Sequence, residues 1–143
     1  MKKLSILLPV IMISFGCNQH SKHREAPDDI VAAFKKHHPN ATILKWNDES
    51  PVWEAKYTDE KEKGAVTYDK DANIIETELV IEESELPHQP AIPEYIKTKY
   101  PGEKIQSCEK VEKKDGTITY EIQITGKEIV FDAAGKYLDE EPD

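Results

Sequence analysis

The chain has 143 residues, with 28 acidic side chains against 19 basic ones and a formal net charge of −9. That balance argues against nucleic acid, whose phosphates demand a basic surface. A hydrophobic fraction of 38% beside 33% charged residues allows one modest core, and two cysteines cannot build a disulfide framework.

Lys2 and Lys3 precede the apolar run Leu4 to Phe15, and Gly16-Cys17 follows. A basic start, an apolar stretch of about a dozen residues and a small residue before the cut describe a secretory signal peptide. The run is too short to span a bilayer. Ser14-Phe15-Gly16-Cys17 resembles a lipobox, with Ser14 in place of the usual Leu. Cleavage after Gly16 would remove residues 1–16 and leave Cys17 as the lipidated first residue. Loss of Lys2 and Lys3 would take the charge from −9 to −11. Acyl chains on Cys17 would hold the protein on a membrane surface without spanning it. An ordinary signal peptide with a chance cysteine is the other reading. Residues 17–26 are polar without periodicity and read as a flexible tether. His20 and His23 lie three apart there, with no third ligand to make a metal site.

Two segments then repeat. Phe34 to Ile43 aligns with Ile96 to Ile105 at an offset of 62, with Lys35/Lys97, Pro39/Pro101 and Ile43/Ile105 identical. Val66 to Ile75 aligns with Ile129 to Leu138 at an offset of 63, keeping Asp69/Asp132 and the apolar pattern. Trp53 to Tyr57 answers Tyr120 to Ile124 between them. Order-preserving matches of this kind predict a tandem repeat, 27–81 and 87–141, joined by a linker over 82–86.

Each repeat opens with a helix. Ile30, Val31 and Phe34 form an apolar stripe behind Asp28 and Asp29, whose charge suits a helix start. Pro39 ends it, because the residue before proline avoids the helical region. Ile92, Tyr95 and Ile96 make the second stripe, begun by Pro90 or Pro93 and ended by Pro101-Gly102. The strands alternate: Trp53, Ala55 and Tyr57 oppose Glu54 and Lys56, while Tyr120, Ile122 and Ile124 oppose Glu121 and Gln123. That pattern belongs to an antiparallel sheet covered on one side. Turn signals at 47–51, 59–64, 69–73, 113–116, 126–127 and 132–135 divide the strands. The predicted class is α+β, one helix and about four antiparallel strands per repeat, with the helices on one face and the halves packed as one domain.

A lipoprotein-like leader followed by two copies of this pattern resembles the PepSY-like proteins with a beta-lactamase-inhibitor-like (BLIP-like) fold. The residues that carry the resemblance are His38-Pro39-Asn40-Ala41, Lys45-Trp46, Trp53-Glu54-Ala55, Val66-Thr67-Tyr68-Asp69, Glu85-Leu86-Pro87, Tyr100-Pro101-Gly102, Tyr120-Glu121-Ile122 and Phe131-Asp132-Ala133-Ala134-Gly135. His38 replaces the usual Tyr, and Ala72 stands where the second repeat has Gly135. The resemblance implies a duplicated α+β fold in the cell envelope and an inhibitory or binding role.

No H-E-x-x-H, G-x-S-x-G, P-loop or paired cysteine–histidine pattern occurs, so neither enzymatic activity nor a cofactor is expected. Asp69-x-Asp71-x-Asn73 opens like a calcium loop. The sixth and twelfth places hold Ile74 and Val80 instead of Gly and Glu, which favours a hairpin turn. His37 and His38 are adjacent on a helix end, where a cationic ring would suit the dipole. Cys108 reads as a half-buried strand residue. Trp53, Tyr57 and Tyr68 read as core, whereas Trp46, beside a turn, is the aromatic least committed to it. Trp46, Glu54, Lys56, Glu121 and Gln123 are therefore the candidate binding residues. The expected function is a non-enzymatic envelope lipoprotein that binds a protein or peptide, a peptidase inhibitor being one form of this. Calcium or small-ligand sensing through the acidic turns is the alternative.

Overall fold

The computed structural model describes residues 25–87 and 90–142. The expected signal peptide 1–16, the expected lipidation site Cys17 and the expected tether up to residue 24 lie outside the described residues.

Helix α1, Asp28–His37, carries Asp28 and Asp29 in its first turn and Lys35, Lys36 and His37 in its last. Both sets oppose the helix dipole favourably. Pro27 accepts the first bond, from the Val31 N–H at 3.0 Å, and the His38 N–H closes the end on Phe34 at 2.8 Å. Helix α2, Ala91–Lys99, is built alike: Glu94 donates to Pro90 at 2.9 Å and Tyr100 to Ile96 at 2.8 Å. Proline follows both ends, at 39 and 101, and prevents continuation.

Eight strands follow the chain: β1 Thr42–Glu49, β2 Val52–Thr58, β3 Lys63–Tyr68, β4 Ile74–Ile81, β5 Ser107–Lys113, β6 Ile118–Ile124, β7 Lys127–Asp132 and β8 Tyr137–Pro142. They form one antiparallel sheet in the order β1 to β8, every strand beside its sequence neighbour. The class is α+β. Helix α1 precedes β1–β4 and α2 precedes β5–β8. Strands β4 and β5 join the two groups through six register pairs, from Glu76↔Lys113 to Ile81↔Cys108.

Registry shows that both helices lie on the same face. The rows Trp46–Ala55–Val66–Thr77–Glu112–Ile118 and Ile81–Cys108–Ile122–Ile129 share that face. Two cores form under the helices. Ile30 and Phe34 pack with Trp53, Ala55, Tyr57, Val66 and Tyr68, while Ile92 and Ile96 pack with Cys108, Ile122, Ile124, Ile129 and Phe131. Each core buries an aromatic from its helix or its third strand completely. The sheet, not a shared core, makes the two groups continuous.

Several boundaries differ from the sequence expectation. Strand β1 runs through Asn47 to Glu49, so the predicted turn at 47–51 shrinks to its last two residues. Lys127 opens β7 instead of belonging to a turn. In both cases, hydrogen bonding to the neighbouring strand overrides polar local composition. The 82–86 linker is not a plain tether: Glu83–Glu85 form a 3-10 turn, closed by Glu82 and Glu85 in a reciprocal capping box. Leu86 behind it is buried in the second core. The acidic signal hid that anchor.

The hairpins β3–β4 and β7–β8 are closed by matching turns. Asp69 N–H donates to Asn73 and Asp132 N–H to Lys136, both at 2.9 Å. A register shift lies beside each turn, at Thr67/Tyr68 and at Val130/Phe131. The left-handed place is filled by Gly135 (φ 76°) in one and by Ala72 (φ 59°) in the other.

Candidate binding face

Among the described residues, no helix covers the second face of the sheet. Its residues follow from the register. One row runs Lys45–Lys56–Ala65–Glu78–Val111–Thr119, a second Asn47–Glu54–Thr67–Glu76–Lys113, a third Val80–Glu109–Glu121–Val130–Asp139. Ser107–Gln123–Glu128–Glu141 is a fourth. Four of the five candidate residues, Glu54, Lys56, Glu121 and Gln123, therefore share this face. Trp46 does not. It projects toward α1, half-buried, with its ring edge-on to Phe34 at 5.9 Å between centroids. Trp53, Tyr57 and Tyr68 are buried and Trp46 only partly so, which leaves it the least core-committed of these aromatics. But β1 continues past it and holds the indole over the core, away from the open face.

An uncovered face would normally be well solvated, yet Ala65, Thr67, Glu54 and Val111 are buried on this one. Small residues at Ala65 and Thr67 sit low between long charged neighbours, whose stems cover them. Glu54, only 7% exposed, accepts from Asn47 Nδ2 at 3.3 Å and faces Lys56 Nζ at 3.4 Å. Lys113 Nζ lies 3.6 Å from Glu76. Such pairing is what a buried carboxylate requires.

The face is electrically uneven. Burial pushes the Glu121 carboxyl up to about 8, helped by repulsion from Glu128, Glu78, Glu109 and Glu76. Glu78 is pushed up to about 7, again chiefly by burial and then by Glu54, Glu109 and Glu76, with Lys56 opposing. Glu49 is raised by burial, by repulsion from Glu54 and by a hydrogen bond to it. Lys56 loses some basicity to burial but gains more from Glu54, Glu78 and Glu109, and ends above the ordinary lysine value. Carboxylates gather over β4 to β7, whereas Lys45, Lys56 and Lys63 gather over β1 to β3.

Glu76, Glu78, Glu109 and Glu128 were not singled out from the sequence. Their signal was the period-2 phase of β4, β5 and β7, but in Ile74-Ile-Glu-Thr-Glu-Leu-Val-Ile81 the phase of Glu76 and Glu78 also carries Ile74 and Val80, which blurs it. Only strand pairing assigns its face.

The acidic turns are occupied by themselves. Asp69 Oδ1 accepts from the N–H groups of Asp71 and Asn73, both at 2.9 Å, and both its oxygens accept from Asn73 Nδ2. Those bonds hold the Asp69 carboxyl below its usual range. Among the described residues, no group of three or more His, Cys, Asp or Glu side chains is arranged to hold a metal ion. His38 packs as an aromatic instead of as a helix-end cation: its ring stacks on Phe34 at 5.1 Å and leans on Tyr57 at 4.5 Å. Burial accordingly lowers its pKa. Cys108, fully buried between Ile81 and Ile122, has its thiol pushed up to about 11 by burial and then by Glu83, Glu82 and Glu109. A thiol so placed is inert.

No family model matches the chain, and no curated protein does. Solved structures do. A Bacteroides eggerthii protein named for an inferred periplasmic location superposes with a TM-score of 0.70 at 19% identity, covering 83% of this chain and 90% of its own. A BLIP-like protein from Bacteroides fragilis gives 0.59 at 23% identity, over 85% and 89%. A DUF2874 family protein from Bacteroides uniformis gives 0.64 at 21%, over 82% and 90%. The likeness extends over nearly the whole described chain, and what it shows is the fold: an α+β, BLIP-like architecture.

Proposed function

We propose that this chain is a non-enzymatic binding module of the bacterial cell envelope, anchored through Cys17, whose open sheet face receives a protein or peptide. The observation that carries this reading is the one-sided sheet. Eight strands expose a single face that carries Glu54 and Lys56 on β2 and Glu121 and Gln123 on β6, with carboxylates held partly out of water before any partner arrives. Such groups gain most from a partner that supplies opposite charge and completes their burial. The periplasmic location inferred for the Bacteroides eggerthii neighbour agrees with the leader-like segment 1–16. The PepSY-like resemblance and the name of the BLIP-like neighbour make blocking of an envelope peptidase the first activity to assay.

The reading includes a tandem repeat. It is supported by the order helix then four strands in both halves, the matching helix ends at His38 and Tyr100, and the matching Asp69 and Asp132 turns.

A photo-crosslinking residue at Thr119 on the open face and another at Lys97 on α2 test it in the full chain, in cells. Adducts of defined mass from Thr119 and none from Lys97 are expected. Equal adducts from both, or none from either, would overturn the reading.

A further inference from the structure

The basic end of the open face carries a cleft of about 250 Å³. Lys45 on β1 and Lys56 on β2 are register partners on one of its sides, and Lys63 at the start of β3 joins them. Lys56 is paired with Glu54, but Lys45 and Lys63 make no ion pair among the described residues. The three lysines stand on successive strands, each strand about 5 Å from the next, so like charges line this side of the cleft and favour an anion beside them. The opposite side of the cleft carries Glu78 on β4 and Glu109 on β5.

Between the charges the cleft is apolar. Leu44, the extra residue at the β1 bulge, is 56% exposed, and Val80 is 36% exposed. These are two of the three exposed large hydrophobic residues among those described, and both line this one cleft. At Gly64, which also lines the cleft, β3 and β4 approach so closely that an added Cβ would meet the Glu78 carbonyl oxygen at 2.1 Å.

Size and spacing narrow the occupant. The cleft is smaller than the roughly 300–1,000 Å³ sites that enclose a drug-sized molecule, so it suits one or two residues of a chain. From β2 to β4 is two strand spacings, about 10 Å. An extended peptide covers that in about three residues, at roughly 3.3–3.6 Å each. We propose that the cleft receives the C-terminal end of a peptide whose last side chain is apolar. Its carboxylate sits among Lys45, Lys56 and Lys63, its last side chain between Leu44 and Val80, and a lysine or arginine two residues upstream over Glu78 and Glu109. This rests on the open face being a binding surface and names the partner's chemistry.

The test uses the full chain and three synthetic peptides: Lys-Ala-Leu as the free acid, the same peptide as its C-terminal amide, and Gln-Ala-Leu as the free acid. Amide resonances of Gly64 and Ala65 report binding at the cleft. The free acid should shift them, with amidation weakening the interaction about tenfold, the effect of losing one charge-assisted contact. Gln-Ala-Leu should bind more weakly than Lys-Ala-Leu. The double variant Lys45→Gln, Lys63→Gln should bind acid and amide alike, and Glu78→Gln should no longer favour Lys-Ala-Leu over Gln-Ala-Leu. These surface changes leave both cores intact, which far-UV circular dichroism checks. Acid and amide binding equally to the unmodified chain, or no shift with any peptide, overturns the proposal. If Thr119 still forms specific adducts in cells, that outcome removes the C-terminal recognition and leaves the binding face standing.

Discussion

Glu109 on β5 and Glu121 on β6 stand directly opposite one another, on the face of the sheet away from α1 and α2. Like charges so placed destabilise a sheet. Burial and the surrounding glutamates push the Glu121 carboxyl up to about 8 against a model-peptide value of 4.5, so the folded chain holds a proton that the unfolded chain has released. The stability this lends is fully present below the unfolded value. It is lost as pH rises toward 8, because the folded state there binds more protons than the unfolded one. Glu121→Gln should therefore stabilise the protein at pH 8.5 by up to about 1 kcal/mol, and by much less at pH 5. Urea denaturation at both pH values measures it; an equal effect at both would sink the assignment.

Ala72 holds a left-handed conformation (φ 59°) in the turn where the other hairpin has Gly135. An L side chain pays about 1 kcal/mol there. Ala72→Gly should raise stability by several tenths of a kcal/mol to about 1, after the entropy that glycine adds to the unfolded chain. Thermal melting of the variant is the check. A lower midpoint would show that the turn imposes no strain.

Tyr68 is fully buried under α1 and its hydroxyl has no hydrogen-bond partner among the described residues. Burial pushes the phenol up to about 12. Removing an unpaired buried hydroxyl spares its desolvation cost, so Tyr68→Phe should be neutral or stabilising by about 1 kcal/mol. Loss of more than that amount in a denaturant titration would mean the hydroxyl finds a bonded water.

Phe34 and Phe131 are buried in different cores. Truncating either to alanine should cost about 3–5 kcal/mol. Because β4 and β5 pair along six positions, the sheet couples the cores, and calorimetry should show one transition that both variants shift. Two separate transitions, with each variant moving only one, would make the halves independent.

Cys17→Ser should release the protein from the membrane fraction, because acyl chains on Cys17 are the proposed anchor, and leave the fold unchanged. Mass determination of the mature N-terminus, together with fractionation, decides it. An unacylated start at any other residue in the unmodified protein would make this an ordinary secreted chain.

Much of the architecture was legible in the residues. The stripes Ile30–Phe34 and Ile92–Ile96, the prolines that stop them and the alternation of Trp53–Tyr57 and Tyr120–Ile124 are local signals, each set by a period of 3.6 or 2. The same alternation already separated Glu54 and Lys56 from Trp53 and Tyr57. Where a strand's own pattern was silent, the answer lay in its neighbours. In β4 the phase of Glu76 and Glu78 also carries Ile74 and Val80, so it is the pairing with β3 and β5 that puts Glu76 and Glu78 on the open face beside Glu54 and Glu109. The face of Trp46 was hidden for the same reason, since the hydrogen bonds that carry β1 past it come from β2. Leu86 looked like linker because its flanks are acidic, and it is a core residue because the chain returns under α2. Periodicity belongs to a segment and can be read from it. Register, face and the meeting of charges from five strands belong to pairs of segments, and only the folded sheet brings those pairs together.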